Sequence, residues 1–130
     1  MEYAHTGHAV HLLVYHLVWC PKYRRSVLTE PVGRRLRELM FEVATERGWT
    51  ILELAIQSDH VHAFVRCTPS DMPHLIVRAL KGRSSRVLRA EFPWLKRRLP
   101  TLWTRSYFCA TAGNVSAAAI QRYIEAQRWV

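Results

Sequence analysis

The stretch "SDHVHAFV", residues 58–65, sets His60 and His62 one residue apart inside a run otherwise written for a buried strand. Side chains at i and i+2 of a strand leave the same face, so the two imidazoles project together while Val61, Ala63 and Val65 project the other way. Two neutral imidazoles on one face make part of a site for a divalent cation, with oxygen donors to complete it. The spacing also fits an ordinary surface pair, and in a chain with 7 histidines an H-x-H does not decide between the two.

Toward the other end, Tyr123 and Gln127 lie four residues apart and share a helix face with Ile120 and Ile124. A tyrosine between isoleucines suits packing. A glutamine in that stripe needs a partner, because a buried unpaired amide costs roughly 1–3 kcal/mol. Its carbonyl oxygen has two possible occupations, a metal or a structural hydrogen bond, and spacing alone favours the second. A third group mixes cations with aromatics: Lys22, Tyr23, Arg24 and Arg25, then Lys81, Arg83, Arg86 and Arg89, then Trp94, Lys96, Arg97, Arg98, Trp103, Arg105 and Tyr107. Phosphates take the cations and unstacked bases take the rings, which suits single-stranded or hairpin nucleic acid better than plain duplex. A solvated basic face carries the same pattern. No Walker loop, dinucleotide fingerprint, G-x-S-x-G elbow or H-E-x-x-H motif occurs.

The elements that must position these groups are legible in the periodicity. Residues 9–20, "AVHLLVYHLVWC", are apolar on both faces and predict a central strand, ended by the basic step "PKYRR" over 21–25. From Thr29, a possible cap, to Gly48, the residues Val32, Leu36, Leu39, Met40 and Val43 recur at helical spacing. Residues 50–57 and 60–67 predict a hairpin across Ser58-Asp59, with Leu52, Leu54 and Ile56 on one face of its first strand. A second helix is expected from Ser70-Asp71 to Pro93, with Gly82 weakening its middle. A fourth strand is expected over 102–111, and a terminal helix over 117–130, introduced by Gly113-Asn114 and Ser116. The order β-α-β-β-α-β-α is the ferredoxin-like split βαβ arrangement, an α+β fold with an antiparallel sheet, helices on one face and one extra helix.

Bulk properties bound the rest. At 130 residues the chain is expected to form a single domain, residues 1–130. Its 19 Lys and Arg against 10 Asp and Glu give a formal charge of +9, which favours a polyanionic partner. Cys20, Cys67 and Cys109 show no C-x-x-C spacing, so neither a zinc knuckle nor a disulfide framework is indicated, and a reducing cytosol fits best. The start "MEYAHTGHAV" lacks the form of a signal peptide, and Leu12–Cys20 is too short to cross a bilayer. No membrane role is expected.

Read in order, "YHLVWCPKYRRSVL", "SDHVHAFV", "LKGRSSRVLRAEFP", "LWTRSYFCATAG" and "IQRYIEAQ" resemble the sequence blocks of the HUH single-tyrosine transposases of the bacterial insertion-sequence 200/605 family. The resemblance implies that Tyr123 is the nucleophile, that His60 and His62 are the metal pair with Gln127 as third ligand, and that Mg²⁺ or Mn²⁺ is the cofactor. It implies cleavage and rejoining of single-stranded DNA at insertion-sequence ends through a 5′-phosphotyrosine, with subterminal hairpins as the recognised feature. Lys22, Tyr23, Arg24, Arg25, Lys81, Arg83, Arg86 and Arg105 are the expected DNA contacts. It further implies a homodimer with joined sheets and active sites completed in trans, in the cytoplasm of a bacterium or archaeon. The chain ends three residues after Gln127, so the tyrosine helix is expected to be lightly anchored. The alternatives are a related palindrome-associated transposase and a catalytically silent regulator that binds hairpin DNA. An RNA-binding ferredoxin-like domain is disfavoured by the missing "G-F-G-F-V" signature.

Overall fold

A computed structural model describes residues 3–6, 9–11, 13–111, 113 and 116–130. Leu12 and Asn114, which fall in the expected first strand and in the approach to the terminal helix, lie outside the described residues. The apolar run expected as one strand over 9–20 is divided. Strands β1 (Ala4–Thr6) and β2 (Ala9–His11) pair with each other, while β3 (Leu13–Trp19) enters a separate four-stranded sheet. Helix α1 spans Val32–Arg47. Thr29 contributes to its start through a backbone carbonyl that accepts from Gly33 N–H at 2.9 Å, and the boundary residue is Pro31. Gly48 closes the helix at φ 77°, a left-handed conformation that glycine adopts without a Cβ penalty.

Strands β4 (Thr50–Gln57) and β5 (His60–Cys67) form the expected hairpin. A bulge between Ile51 and Glu53 shifts the register, so Ile51 rather than Leu52 stands opposite Val65 and joins Leu54 and Ile56 against the core. Helix α2 (Pro73–Glu91) passes through Gly82 unbroken, and a short helix α3 (Trp94–Arg98), not foreseen, follows Pro93. Only Phe108–Thr111 of the strand expected over 102–111 belongs to the sheet, as β6, while Trp103 makes an isolated bridge to Pro21. Helix α4 runs from Ala117 to Glu125, with the Ser116 hydroxyl accepting from Ala119 N–H.

The sheet order is β4-β5-β3-β6, every neighbouring pair antiparallel, which is the ferredoxin-like topology. Leu17 and Trp19 of β3 and Val61, Ala63 and Val65 of β5 are fully buried with Leu36 and Met40 of α1 and Ile76, Leu80 and Leu88 of α2. Helices α1 and α2 thus cover one face, as expected. The extra helix α4 packs on the opposite face, where Ile124 meets Val18 and Cys20, with Phe108, Ile120 and Tyr123 at the margin. Trp103, grouped by sequence with the nucleic-acid aromatics, is only 7% exposed. It stands edge-on to Trp19 in the core, its indole N–H bonded to the Ser84 hydroxyl at 3.0 Å.

Candidate active site

β-sheet register puts the histidines on the face that α4 covers in part. His62 lies opposite Val18 of β3, Val18 lies opposite Phe108 of β6, and directly paired residues share a face. Each imidazole is oriented by a neighbour. Asp59 Oδ1 meets His60 Nδ1 at 2.8 Å, and the other Asp59 oxygen is gripped by Arg24 Nε at 3.2 Å. A carboxylate behind an imidazole is the usual support of a metal-ligating histidine, because it fixes the tautomer and the ring plane. His62 Nε2 approaches His16 Nδ1 at 3.0 Å, and His16 is stacked on Phe64 at 4.4 Å. Burial pushes the His62 imidazole below its ordinary value, the nearby His16 and His60 push it further, and Glu53 opposes them. These influences favour the neutral form of His62, the form a metal ligand requires.

The second constellation forms around Ser106. Its hydroxyl lies 2.9 Å from the Tyr123 phenol oxygen and donates to Gln127 Oε1, also at 2.9 Å. Gln127 Nε2 donates to the Tyr123 carbonyl at 3.2 Å. Gln127 sits in the turn just past α4 and is 7% exposed, so the buried amide has the structural partners that spacing favoured. Burial pushes the Tyr123 phenol above its ordinary value, and hydrogen bonds with Ser106 and Thr104 work against that. Arg24 links the constellations: besides Asp59 it donates to the Ile124 carbonyl at 3.3 Å. The end of the tyrosine segment, expected to be lightly anchored, is also held by Tyr23 N–H on the Val130 carbonyl at 3.0 Å.

Among the described residues no group of three or more His, Cys, Asp or Glu converges as a metal site. A cation on His60 and His62 would therefore draw its remaining donors from a carboxamide such as Gln127 or from substrate oxygens. The residues fit that demand. Asp59 supports His60, the surroundings of His62 favour its neutral form, and the second lone pair of Gln127 Oε1 is not needed by Ser106.

The expected DNA contacts divide by placement. Lys81 and Arg24 spend their charges inside the fold, Lys81 donating to the Thr104 and Ser106 carbonyls at 2.7 and 2.8 Å. Arg83 pairs with Glu46 at 2.6 Å and, with Arg47, Arg78 and Arg86, lines a groove of about 570 Å³ on the side of α1 and α2. Lys22 lies over the Tyr23 ring, and Arg105 is exposed beside a cleft that also includes Arg78, Trp103 and Tyr107. Tyr23, Arg24 and Arg25 line a third cleft, of about 390 Å³, with Asp59, Arg128 and Trp129. Trp129 is 75% exposed beneath the Arg25 guanidinium, an aromatic platform next to the carboxylate that orients His60. Sequence reading passed over His16, Asp59, Ser106 and Trp129. Only Asp59, adjoining the H-x-H, carried a local signal.

Lys81 yields a prediction. Burial lowers its ammonium from 10.5 to about 8, partly offset by Cys20. Between those values the unfolded chain binds a proton that the folded chain does not, so stability rises with pH across that window and the gain is lost as pH falls through about 8. Urea midpoints at pH 7.5, 8.5 and 9.5 should therefore rise more steeply for the parent than for Lys81→Met. Parallel slopes would show that Lys81 does not titrate in this range.

The family model for IS200-like transposases matches residues 9–127. The chain is 38% identical over 120 residues to the ISDra2 transposase TnpA of Deinococcus radiodurans, covering 91% of this chain and 86% of that protein. It is 32% identical over 115 residues to the transposase for insertion sequence element IS200 of Salmonella typhimurium, covering 87% and 75%. The crystal structure of a transposase candidate from Deinococcus radiodurans R1 superposes with a TM-score of 0.87 at 35% identity, over 98% of this chain and 99% of that one. A REP-associated tyrosine transposase, solved bound to a REP hairpin, shares the fold with a TM-score of 0.59 at 13% identity, over 97% and 76%.

Proposed function

The chain belongs to the IS200-like transposase family, and from that premise we propose that it cleaves and rejoins single-stranded DNA at insertion-sequence ends through a 5′-phosphotyrosine on Tyr123. One observation carries the reading: α4 docks on the histidine face of the sheet and brings Tyr123 and Gln127 together at Ser106. A phenol is a weak nucleophile at neutral pH, so the site must orient it and help it lose its proton. In-line attack forms a phosphorus–oxygen bond to Tyr123 as the bond to the 3′ oxygen breaks. The phenol gives up its proton to solvent water, and water returns one to the departing oxygen, which becomes a free 3′-hydroxyl. One ester replaces another, so rejoining by the reverse path needs no nucleotide hydrolysis.

His60, His62 and Gln127 are the proposed ligands of Mg²⁺ or Mn²⁺, which when bound would polarise the scissile phosphate as a Lewis acid. Asp59 holds the ring of His60, and His16 holds that of His62. Arg25, Arg128 and Trp129 offer phosphate contacts and a stacking surface for the strand beside the histidines, and the Arg47–Arg86 groove offers backbone contacts for a hairpin. The proposed assembly is a homodimer with joined sheets. The surface formed by Val18, Cys20, Phe108 and Ser106 would receive α4 from either copy, which allows active sites completed in trans.

The test is incubation of the protein with single-stranded element-end oligonucleotides and Mg²⁺ or Mn²⁺, followed by a denaturing gel. The expected result is a covalent protein–DNA adduct and a fragment with a free 3′-hydroxyl, both abolished by chelator. Hairpin binding without any adduct would leave the silent-regulator reading.

A further inference from the structure

Ser106 touches both residues that the proposed reaction needs from the α4 region, and its hydroxyl carries a single proton. Gln127 Nε2 faces the Tyr123 carbonyl, which only accepts, so the amide is oriented with Oε1 toward Ser106. Oε1 likewise only accepts, so Ser106 must donate to it. With its proton committed, Ser106 can only accept from Tyr123, and the phenol O–H is the donor across their 2.9 Å contact. The Thr104 hydroxyl, 3.4 Å away, can fill the second lone pair. The result is a directed chain, Tyr123 O–H to Ser106 Oγ, then Ser106 O–H to Gln127 Oε1.

The backbone around Ser106 is built to hold that hydroxyl in place. Residues 104–107 leave the expected strand, and Lys81 of α2 reaches through to bind the carbonyls of Thr104 and Ser106. Thr104 N–H is tied to the Cys20 carbonyl at the end of β3. Ser106 thus stands on α2 and β3 while α4 docks against it, and a helix from a second copy would meet the same hydroxyl.

We infer that Ser106 is a positioning residue for the nucleophile, holding the Tyr123 phenol through its bond to Gln127 and turning its own proton toward the phenol oxygen when Gln127 Oε1 is drawn away. The inference rests on the proposed roles of Tyr123 and Gln127. In the ground state the chain keeps the phenol protonated and aimed. Once Oε1 is engaged elsewhere, the phenol oxygen at 2.9 Å is the nearest acceptor left for the Ser106 proton, the Thr104 hydroxyl lying farther at 3.4 Å, and the polarity of the contact reverses as the phenol's own proton passes to solvent water. Ser106 takes one lone pair of Oε1 and leaves the other open to a cation, so its removal should slow cleavage without weakening cation binding.

The test compares the parent, Ser106→Ala, Ser106→Thr and Tyr123→Phe in single-turnover adduct formation at saturating oligonucleotide and Mn²⁺. Mn²⁺ affinity is read separately by electron paramagnetic resonance on the DNA-free protein. Ser106→Ala is expected to slow adduct formation about 10- to 100-fold, the scale of a misaimed reacting group. Its oligonucleotide affinity should be unchanged and its Mn²⁺ affinity equal to the parent's or tighter. Ser106→Thr, which keeps the hydroxyl, should recover most of the rate. Parental speed in Ser106→Ala, or a loss of Mn²⁺ affinity in parallel with the rate, would overturn the inference. An adduct formed by Tyr123→Phe would instead remove the nucleophile assignment beneath it.

Discussion

Tyr123→Phe is expected to bind element-end oligonucleotides as the parent does and to form no covalent adduct at all. The substitution deletes one oxygen and little else. The ring keeps its packing beside Phe108 at 6.1 Å and its place at the margin of the Val18–Cys20–Ile124 cluster. The contacts of the phenol oxygen with the Ser106 and Thr104 hydroxyls are lost, each a change of about 0.5–1.5 kcal/mol in stability. Removing a nucleophile, by contrast, takes away the bond-forming atom, so no residual adduct from this position is possible. A gel shift for binding and a denaturing gel for the adduct separate the two effects. A surviving adduct would move the nucleophile to another tyrosine, with Tyr23 beside Asp59 and Arg24 the first to examine.

His60→Ala and His62→Ala are each expected to abolish cation-dependent cleavage and to weaken Mn²⁺ binding beyond the loss caused by removing their supports. The comparison makes the prediction quantitative. Asp59→Asn removes the charge behind His60 but leaves the imidazole, and changes of that kind cost about 10- to 100-fold in metal affinity. Loss of the ligand itself should exceed this. Asp59→Asn also breaks the ion pair with Arg24, which bonds the Ile124 carbonyl, so α4 should loosen in that variant while remaining anchored in His62→Ala. Hydrogen exchange of the 117–130 segment distinguishes them. Parental Mn²⁺ affinity in both alanine variants would place the cation elsewhere.

The histidine face was legible because strand periodicity is local: Val61, Ala63 and Val65 demand the core, and alternation then puts His60 and His62 opposite. The hairpin, the helical stripe of α1 and the Gly48 stop were legible for the same reason. The strand expected over 102–111 was overestimated because its alternation could not reveal that Lys81, 23 and 25 residues away, draws the Thr104 and Ser106 carbonyls out of the sheet. The internal partners of Lys81 and Arg24 were hidden for the same reason. Charge is visible in the chain, but the partner that absorbs it is not.

By itself, then, the sequence determined which faces are apolar, the alternation of strands and helices that specifies the ferredoxin-like order, and the residue blocks that mark the family. Those properties depend on neighbours within one turn or one pleat. Only the tertiary structure decided that His16 meets His62 across 46 residues, that Arg24 spans 100 residues to Ile124, and that Ser106 stands between Tyr123 and Gln127. Such contacts arise from how the sheet registers and where α4 docks. Each is a hydrogen bond whose direction and reach no spacing along the chain encodes.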